Sequence, residues 1–294
     1  MTLPFSTVRD LLRFAVSRFN QSGLSFGHGS ANAYDEAAYL VLHTLHLPLD
    51  LLDPFMDARL SAAEIDAVLN VIERRATERV PAAYITQEAW MHGFRFYVDE
   101  RAIVPRSFIG ELLHDGLQPY VEDPEQVSAV LELCTGSGCL AILAAHAFPN
   151  ADIDAVDLSA PALEVAARNV DDYKLEERIA LFEGDLYAPL AERRYDVIIS
   201  NPPYVNAASM QELPAEYKHE PEMALAGGSD GMDIVRRIIA EARNWLTGDG
   251  VLVIEIGNER QHVEAAFGGL NLVWLSTSAG DDNVFLIQAA DLPV

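Results

Sequence analysis

Apolar positions recur at helical spacing in the first part of the chain and at strand spacing in the rest. From Thr7 to Phe19 they fall at Val8, Leu11, Leu12, Ala15, Val16 and Phe19, one face of an α-helix. Asp35 to Leu45 repeats the stripe with Ala37, Ala38, Leu40, Val41 and Leu45. Ser61 opens a third helix. Its hydroxyl can accept from the free backbone N–H groups of the first turn, and Glu64 completes a capping box. That helix is predicted to run to about Arg79 and to stop before Pro81. Residues 1–90 are thus expected to form a helical domain.

From Phe94 the period shortens. Phe94, Phe96 and Val98 alternate with other residues, Asp99-Glu100 offers a turn, and Ala102-Ile103-Val104 runs on to Pro105. This predicts a β-hairpin within a linker over residues 91–108. After Gln126, strands alternate with helices. The strands are expected at Ala129–Cys134, Asp152–Leu158, Ile179–Glu183, Asp196–Ser200, Val251–Ile256, Leu272–Ser276 and Val284–Ala289. Helices are expected at Leu140–Phe148, Ala160–Val170 and Asp230–Leu246. The alternation predicts an α/β domain over 109–294, with a mostly parallel sheet covered on both faces.

Composition narrows the classes. Half of the 294 residues are hydrophobic, enough for a sizeable core. No apolar run reaches the roughly 18 residues of a membrane span. The first twenty residues read as an amphipathic helix, not a signal peptide, because Arg9, Asp10, Arg13 and Arg18 interrupt the apolar positions. A cytoplasmic location is expected. The two cysteines, Cys134 and Cys139, fit neither a disulfide framework nor a paired zinc site and read as small buried hydrophobes. No metal is expected. The formal charge of −25, from 20 basic and 45 acidic residues, repels nucleic-acid phosphates and membranes at long range and attracts basic partners.

The candidate chemistry sits at strand ends. Strand Ala129–Cys134 runs into Thr135-Gly136-Ser137-Gly138, where glycine permits a tight turn and close approach of a ligand. The loop is neither the dinucleotide fingerprint nor a P-loop. Asp157 ends the next strand, about 20 residues on, where a carboxylate can accept both hydroxyl hydrogens of a ribose. Asp185, followed by Leu186, comes after the third strand and can accept from an adenine amino group or cap a turn.

The fourth strand runs straight into Asn201-Pro202-Pro203-Tyr204. Two prolines stiffen the segment and remove two donors. The Asn201 side-chain oxygen and the Pro202 carbonyl can then each accept one hydrogen of a flat NH2 group, with the Tyr204 ring against its face. This suits methyl transfer to a poorly nucleophilic nitrogen, whose developing positive charge two fixed acceptors would stabilise. His219 reads as a surface histidine.

With these residues in place, the chain resembles the class I, seven-stranded Rossmann-like methyltransferases with an Asn-Pro-Pro-Tyr motif. Within them it is similar to the HemK-like protein-(glutamine-N5) methyltransferases over nearly its whole length. Three segments resemble the branch acting on the third protein of the large ribosomal subunit. They are Val104-Pro105-Arg106-Ser107 with Ile109-Gly110-Glu111, Leu133 to Cys139, and Leu213-Pro214 through Glu216-Tyr217 to His219-Glu220-Pro221. Asp230-Gly231-Met232-Asp233 follows as a family element. Cys134 stands where the general family has glycine.

The resemblance implies S-adenosyl-L-methionine as cofactor and a basic ribosomal protein as substrate. It implies cofactor contacts from Cys134, Thr135, Gly136, Ser137, Gly138, Asp157, Asp185, Leu186 and Asn201. Substrate contacts would come from Asn201, Pro202, Pro203 and Tyr204, with Arg106 and Glu111 closing over the site and the helical domain selecting the protein. Three alternatives stay open at this stage. They are the same reaction on a peptide-chain release factor, a nucleic-acid amino-methyltransferase, which needs a basic channel, and a ribosome-assembly factor without activity.

Overall fold

The computed structural model describes residues 5–293. Residues 1–4 of the expected helical domain and residue 294 of the α/β domain lie outside the described residues. The opening stripes fold as α1 (Val8–Ser22), α2 (Ala33–Thr44) and α3 (Ala62–Glu73). Each begins on a side-chain cap: Thr7 and Ser61 form capping boxes with Asp10 and Glu64, and the Asn32 side chain accepts from the Tyr34 and Asp35 amides. Such caps contribute about 1 kcal/mol each. The apolar faces close on one another through Leu11, Phe19, Leu40 and Ile72, all buried. A π-helical turn at Arg74–Glu78 extends α3 to Arg79, where φ is +64° and the helix stops. The short α4 (Ala82–Thr86) follows Pro81.

The hairpin lies earlier than expected. It pairs β1 (Glu88–Met91) with β2 (Phe94–Tyr97) through a turn at His92-Gly93, where both residues have positive φ. That is the backbone a two-residue hairpin requires. The turn at Asp99 does form, with the Ala102 amide donating to the Asp99 carbonyl at 3.1 Å. It makes no hairpin, however: β2, the strand that leads into it, pairs with β1, and the Asp99 carboxylate accepts from the Tyr97 hydroxyl and from Arg101. Ala102 to Val104 runs on outside any strand. A helix that apolar periodicity missed, α5 (Ile109–His114), comes next.

The α/β region follows the expected alternation. In chain order it comprises β3 (Ala129–Leu133), α6 (Cys139–Ala147), β4 (Asp152–Asp157), α7 (Ala160–Asp172), β5 (Ile179–Glu183), β6 (Tyr195–Ser200), α8 (Ala207–Glu212), α9 (Asp233–Trp245), β7 (Leu246–Glu255), α10 (Arg260–Phe267), β8 (Val273–Thr277) and β9 (Gly280–Gln288). One sheet holds seven strands in the order β5-β4-β3-β6-β7-β9-β8. The pairs from β5 to β7 are parallel, and β9 is antiparallel to both β7 and β8. Alternate residues of the central strands enter opposite cores. Val130, Ile153 and Val197 face α5 and α6, whereas Leu131, Val156 and Ile198 face α9. Strand order reverses between β3 and β6, so the crevice opens where their carboxyl ends diverge.

Buried charges join the two regions. Glu216, after α8, accepts from the Ser25 amide at 3.0 Å, from Arg79 at 3.1 Å and from Arg75 at 3.2 Å. Arg75 also donates to Glu36 of α2 at 2.6 Å. The pairing of Arg75, Glu36 and Glu216 is fully buried, so losing one partner strands a charge at a cost of about 3–5 kcal/mol. No helix among the described residues is long and apolar enough to cross a membrane.

Candidate active site

The turn after β3 holds the left-handed conformation at Cys134, Gly136 and Gly138, with φ of +62°, +54° and +77°. Two of the three are glycine, and at the third, Cys134, an L residue in this conformation costs about 1–2 kcal/mol. The Gly136 amide donates to one Asp157 oxygen at 2.7 Å and the Ser159 amide to the other at 2.8 Å. Burial pushes the Asp157 carboxyl above its ordinary value, against these two N–H groups. Each oxygen keeps lone-pair capacity for a hydroxyl.

Cys134, Gly136, Asp157, Asp185, Leu186 and Pro203 line one cavity of about 170 Å³. Asp185 also accepts from Arg237 at 2.8 Å, and Leu186 is a further positive-φ residue, at +52°. Apolar Ile103, Leu158 and Met223 complete this wall. A mostly apolar slot with a hydroxyl-binding carboxylate suits a nucleoside. Thr135, Ser137 and Gly138 stand behind the slot. The Thr135 hydroxyl donates to the buried Glu132 at 2.5 Å, and the Ser137 carbonyl accepts from Asn169 at 2.8 Å. A Cβ at Gly138 would meet Ala166 of α7 at 3.1 Å. Cys139 is buried as expected, but Cys134 is only half-buried and belongs to the cavity wall.

A second cavity, of about 280 Å³, is lined by Asn201, Pro202, Tyr204, Arg106 and Tyr217. Asn201, Ile103 and Ala224 face both cavities, so Asn201 stands at their junction. Its loop is held from behind. The Ser200 hydroxyl donates to the Leu133 carbonyl at 2.8 Å, tying the ends of β6 and β3. Glycines then receive the backbone. A Cβ at Gly227 would lie 2.7 Å from Tyr204 Cα, one at Gly257 would lie 2.7 Å from Tyr204 Cε2, and one at Gly231 would strike the Tyr204 carbonyl. Gly227 and Gly257 were not singled out in the sequence, although Gly227-Gly228 precedes the Asp230–Asp233 element. Asp230 there pairs with Arg236 and accepts from the Met232 amide, shaping the entry to α9.

Arg106 orients Asn201. The Asn201 Nδ2 donates to the Arg106 carbonyl at 3.3 Å. The Arg106 guanidinium forks onto Glu220 at 2.5 and 2.7 Å, and Glu220 also accepts from the Val104 amide at 3.0 Å. Burial alone would raise the Glu220 carboxyl, but His28 and Arg106 hold it at about 2. Arg106 thus borders the cavity while acting as the guy-rope of its own segment. Glu111 does not close over the site. It accepts from the Ser278 amide at 2.8 Å and its hydroxyl at 2.5 Å, at the β8–β9 turn. At the end of β7, Glu255 accepts from the Ser107 hydroxyl at 2.5 Å and the Phe108 amide at 2.8 Å, and burial pushes its carboxyl up to about 7. His219 bonds the Glu78 carbonyl at 2.9 Å, which makes it a link between the two regions.

The chain matches the model of the family described as Methyltransferase small domain over residues 113–216. It is 77% identical to the ribosomal protein uL3 glutamine methyltransferase of Burkholderia pseudomallei (strain K96243), across 99% of this chain and 97% of that protein. The protein of the same name from Bordetella pertussis (strain Tohama I / ATCC BAA-589 / NCTC 13251) is 60% identical across 97% of this chain and 96% of its own. Among solved structures, the hMettl16 catalytic domain in complex with MAT2A 3'UTR hairpin 1 superposes with a TM-score of 0.51 at 13% identity, over 97% of this chain and 93% of that chain. That likeness is one of fold.

Proposed function

Because this chain belongs to the ribosomal protein uL3 glutamine methyltransferases, we propose that it methylates the side-chain amide nitrogen of a glutamine in ribosomal protein uL3. The observation that carries the reading is the placement of Asn201 between two cavities, one suited to a nucleoside and one large enough for a side chain. S-adenosylmethionine, when bound, supplies the methyl group. The slot fits it chemically: Asp157 would hold the ribose hydroxyls, Asp185 and Leu186 would border the base, and the turn from Cys134 to Gly138 would lie along it.

On the other side, the two prolines offer no N–H to compete for the target. Asn201 Nδ2 is already committed to the Arg106 carbonyl, which leaves Oδ1 as an acceptor. Asn201 Oδ1 and the Pro202 carbonyl would take the two amide hydrogens, and Tyr204 would flank the plane. Fixed acceptors of this kind are worth about two to three orders of magnitude in turnover. No strong base is needed before attack, since the proton can leave the methylated nitrogen afterwards.

The charge of −25 supports a basic protein as the partner and disfavours direct nucleic-acid contact. We place the reaction in the cytoplasm, where ribosomal proteins are made. Incubating the enzyme with S-adenosylmethionine and unmodified uL3, then sequencing the peptides by mass spectrometry, tests the proposal. A methyl on a glutamine side chain is the expected result; a methyl on another residue type, or none, overturns it.

A further inference from the structure

A third cavity, of about 580 Å³, is larger than either of the two that meet at Asn201. It lies between the helical domain and the hairpin. Tyr39 of α2, Leu49 and Asp50 of the following loop, Trp90 of β1, His28 and Pro105 contribute to its walls. Trp90 is 48% exposed and Leu49 37%, and both present apolar surface to this one cavity. Trp90 is also held in place, since its indole N–H donates to Glu88 at 2.8 Å. Among the described residues β1 pairs only with β2, which leaves its second edge without a strand partner there. Asp50 adds negative charge to an otherwise apolar surface, while Glu88 is already paired with Arg95 at 3.3 Å.

The groove borders the substrate-side cavity. Val104 and Pro105 line the groove and the next residue, Arg106, lines the cavity. His28 lines the groove, and its ring packs on Tyr217, a cavity residue, at 4.4 Å between centroids. His28 is 5% exposed, yet its Nδ1 has no hydrogen-bond partner among the described residues. Its Nε2 stands 3.5 Å from Glu220, the carboxylate that clamps Arg106. A buried ring nitrogen left unmet normally carries a cost, and a partner supplied from outside would relieve it.

We propose that this groove seats the segment of the protein substrate flanking the modified glutamine, in extended form. An apolar side chain of that segment rests between Trp90 and Leu49, and a lysine or arginine reaches Asp50. The inference deepens the uL3 reading and rests on it. Apolar anchoring around an indole gives affinity, and the acidic rim selects a basic chain. The groove then sets KM for the protein, while Asn201 sets turnover.

Trp90→Ala and Asp50→Lys test this, because both positions lie at the surface and neither touches Asn201. Binding of dye-labelled unmodified uL3 is read by fluorescence anisotropy, alongside KM and kcat for methylation and the affinity for S-adenosylmethionine. The expected result is a rise of about tenfold in Kd and KM for uL3 in each variant, with kcat and cofactor affinity unchanged. Wild-type-like Kd in both variants overturns the proposal, as does failure of the wild type to bind uL3. Binding by the wild type without methylation defeats the functional reading alone, and the Kd values of the variants still decide the groove. Sedimentation of the wild type as a dimer that Trp90→Ala dissolves would assign the groove to a second copy and also overturn it.

Discussion

The carbonyl oxygen of Arg106 accepts a hydrogen bond from the side-chain nitrogen of Asn201 at 3.3 Å. This backbone contact fixes which end of the Asn201 amide faces the two cavities. It also explains why the segment from Val104 to Arg106 is itself held by Glu220, through one backbone amide and a forked guanidinium pair. The Asn201 side-chain amide is therefore oriented by residues far apart in sequence.

Asn201 and Asp157 should separate on substitution. Asn201→Ala removes an acceptor from the junction of the two cavities and leaves Asp157, the carboxylate of the nucleoside slot, in place. Turnover should fall about a hundredfold or more, with the affinity for S-adenosylmethionine changed less than about threefold. Asp157→Ala removes a slot carboxylate and should mainly weaken cofactor binding. Calorimetric titration with the cofactor and single-turnover assays on both variants check this, and the reverse pattern would exchange the two roles.

Gly257 is predicted to be intolerant for a steric reason. Its φ is +51°, and a Cβ would stand 2.7 Å from Cε2 of the Tyr204 ring. Gly257→Ala should displace that ring and lower kcat/KM for the protein substrate by about tenfold or more, leaving cofactor affinity close to wild type. The same pair of measurements reads it out.

Cys134 should accept glycine and refuse valine. At φ +62° a glycine is at ease, whereas a β-branched residue is strongly strained. Cys134→Gly is expected to keep cofactor affinity, with Tm within a few degrees of wild type, because relieved strain offsets lost packing of the thiol. Cys134→Val should lower Tm by several degrees and weaken cofactor binding. Thermal melts with and without S-adenosylmethionine distinguish the two.

These positions illustrate what the sequence makes legible. Buried strands read as short apolar runs, continuous at Val197–Ile199 and broken at Val130–Leu133 only by Glu132, and site loops follow directly from their ends. Cys134 and the Asn-Pro-Pro-Tyr loop could thus be placed by counting along the chain. The hairpin could not, because its turn rests on a positive φ at His92, a residue with no marked turn preference. Glu216, Glu220 and Glu255 were also opaque. Each is a carboxylate whose burial makes sense only beside partners that folding brings from elsewhere: Arg75, Arg106 and Ser107. Glu111 misled for the same reason, since its partner Ser278 lies at the far end of the chain.

Glu255 gives a pH dependence. Burial raises its carboxyl from 4.5 to about 7. The folded state therefore holds the proton more tightly than the unfolded chain does. Its contribution to stability is fully present below pH 4.5 and is lost as pH rises through about 7. Glu255→Gln cannot titrate. The Tm of the variant minus that of the wild type should rise between pH 4.5 and 7 and level off above. A difference that is flat across this window would contradict the assignment.

The most direct test of the central claim offers the enzyme radiolabelled S-adenosylmethionine and two unmodified proteins side by side, ribosomal protein uL3 and a peptide-chain release factor. The account predicts label on a glutamine of uL3 alone, at a rate lowered about a hundredfold or more in Asn201→Ala. Label on the release factor alone, or on uL3 undiminished in the Asn201 variant, would contradict it.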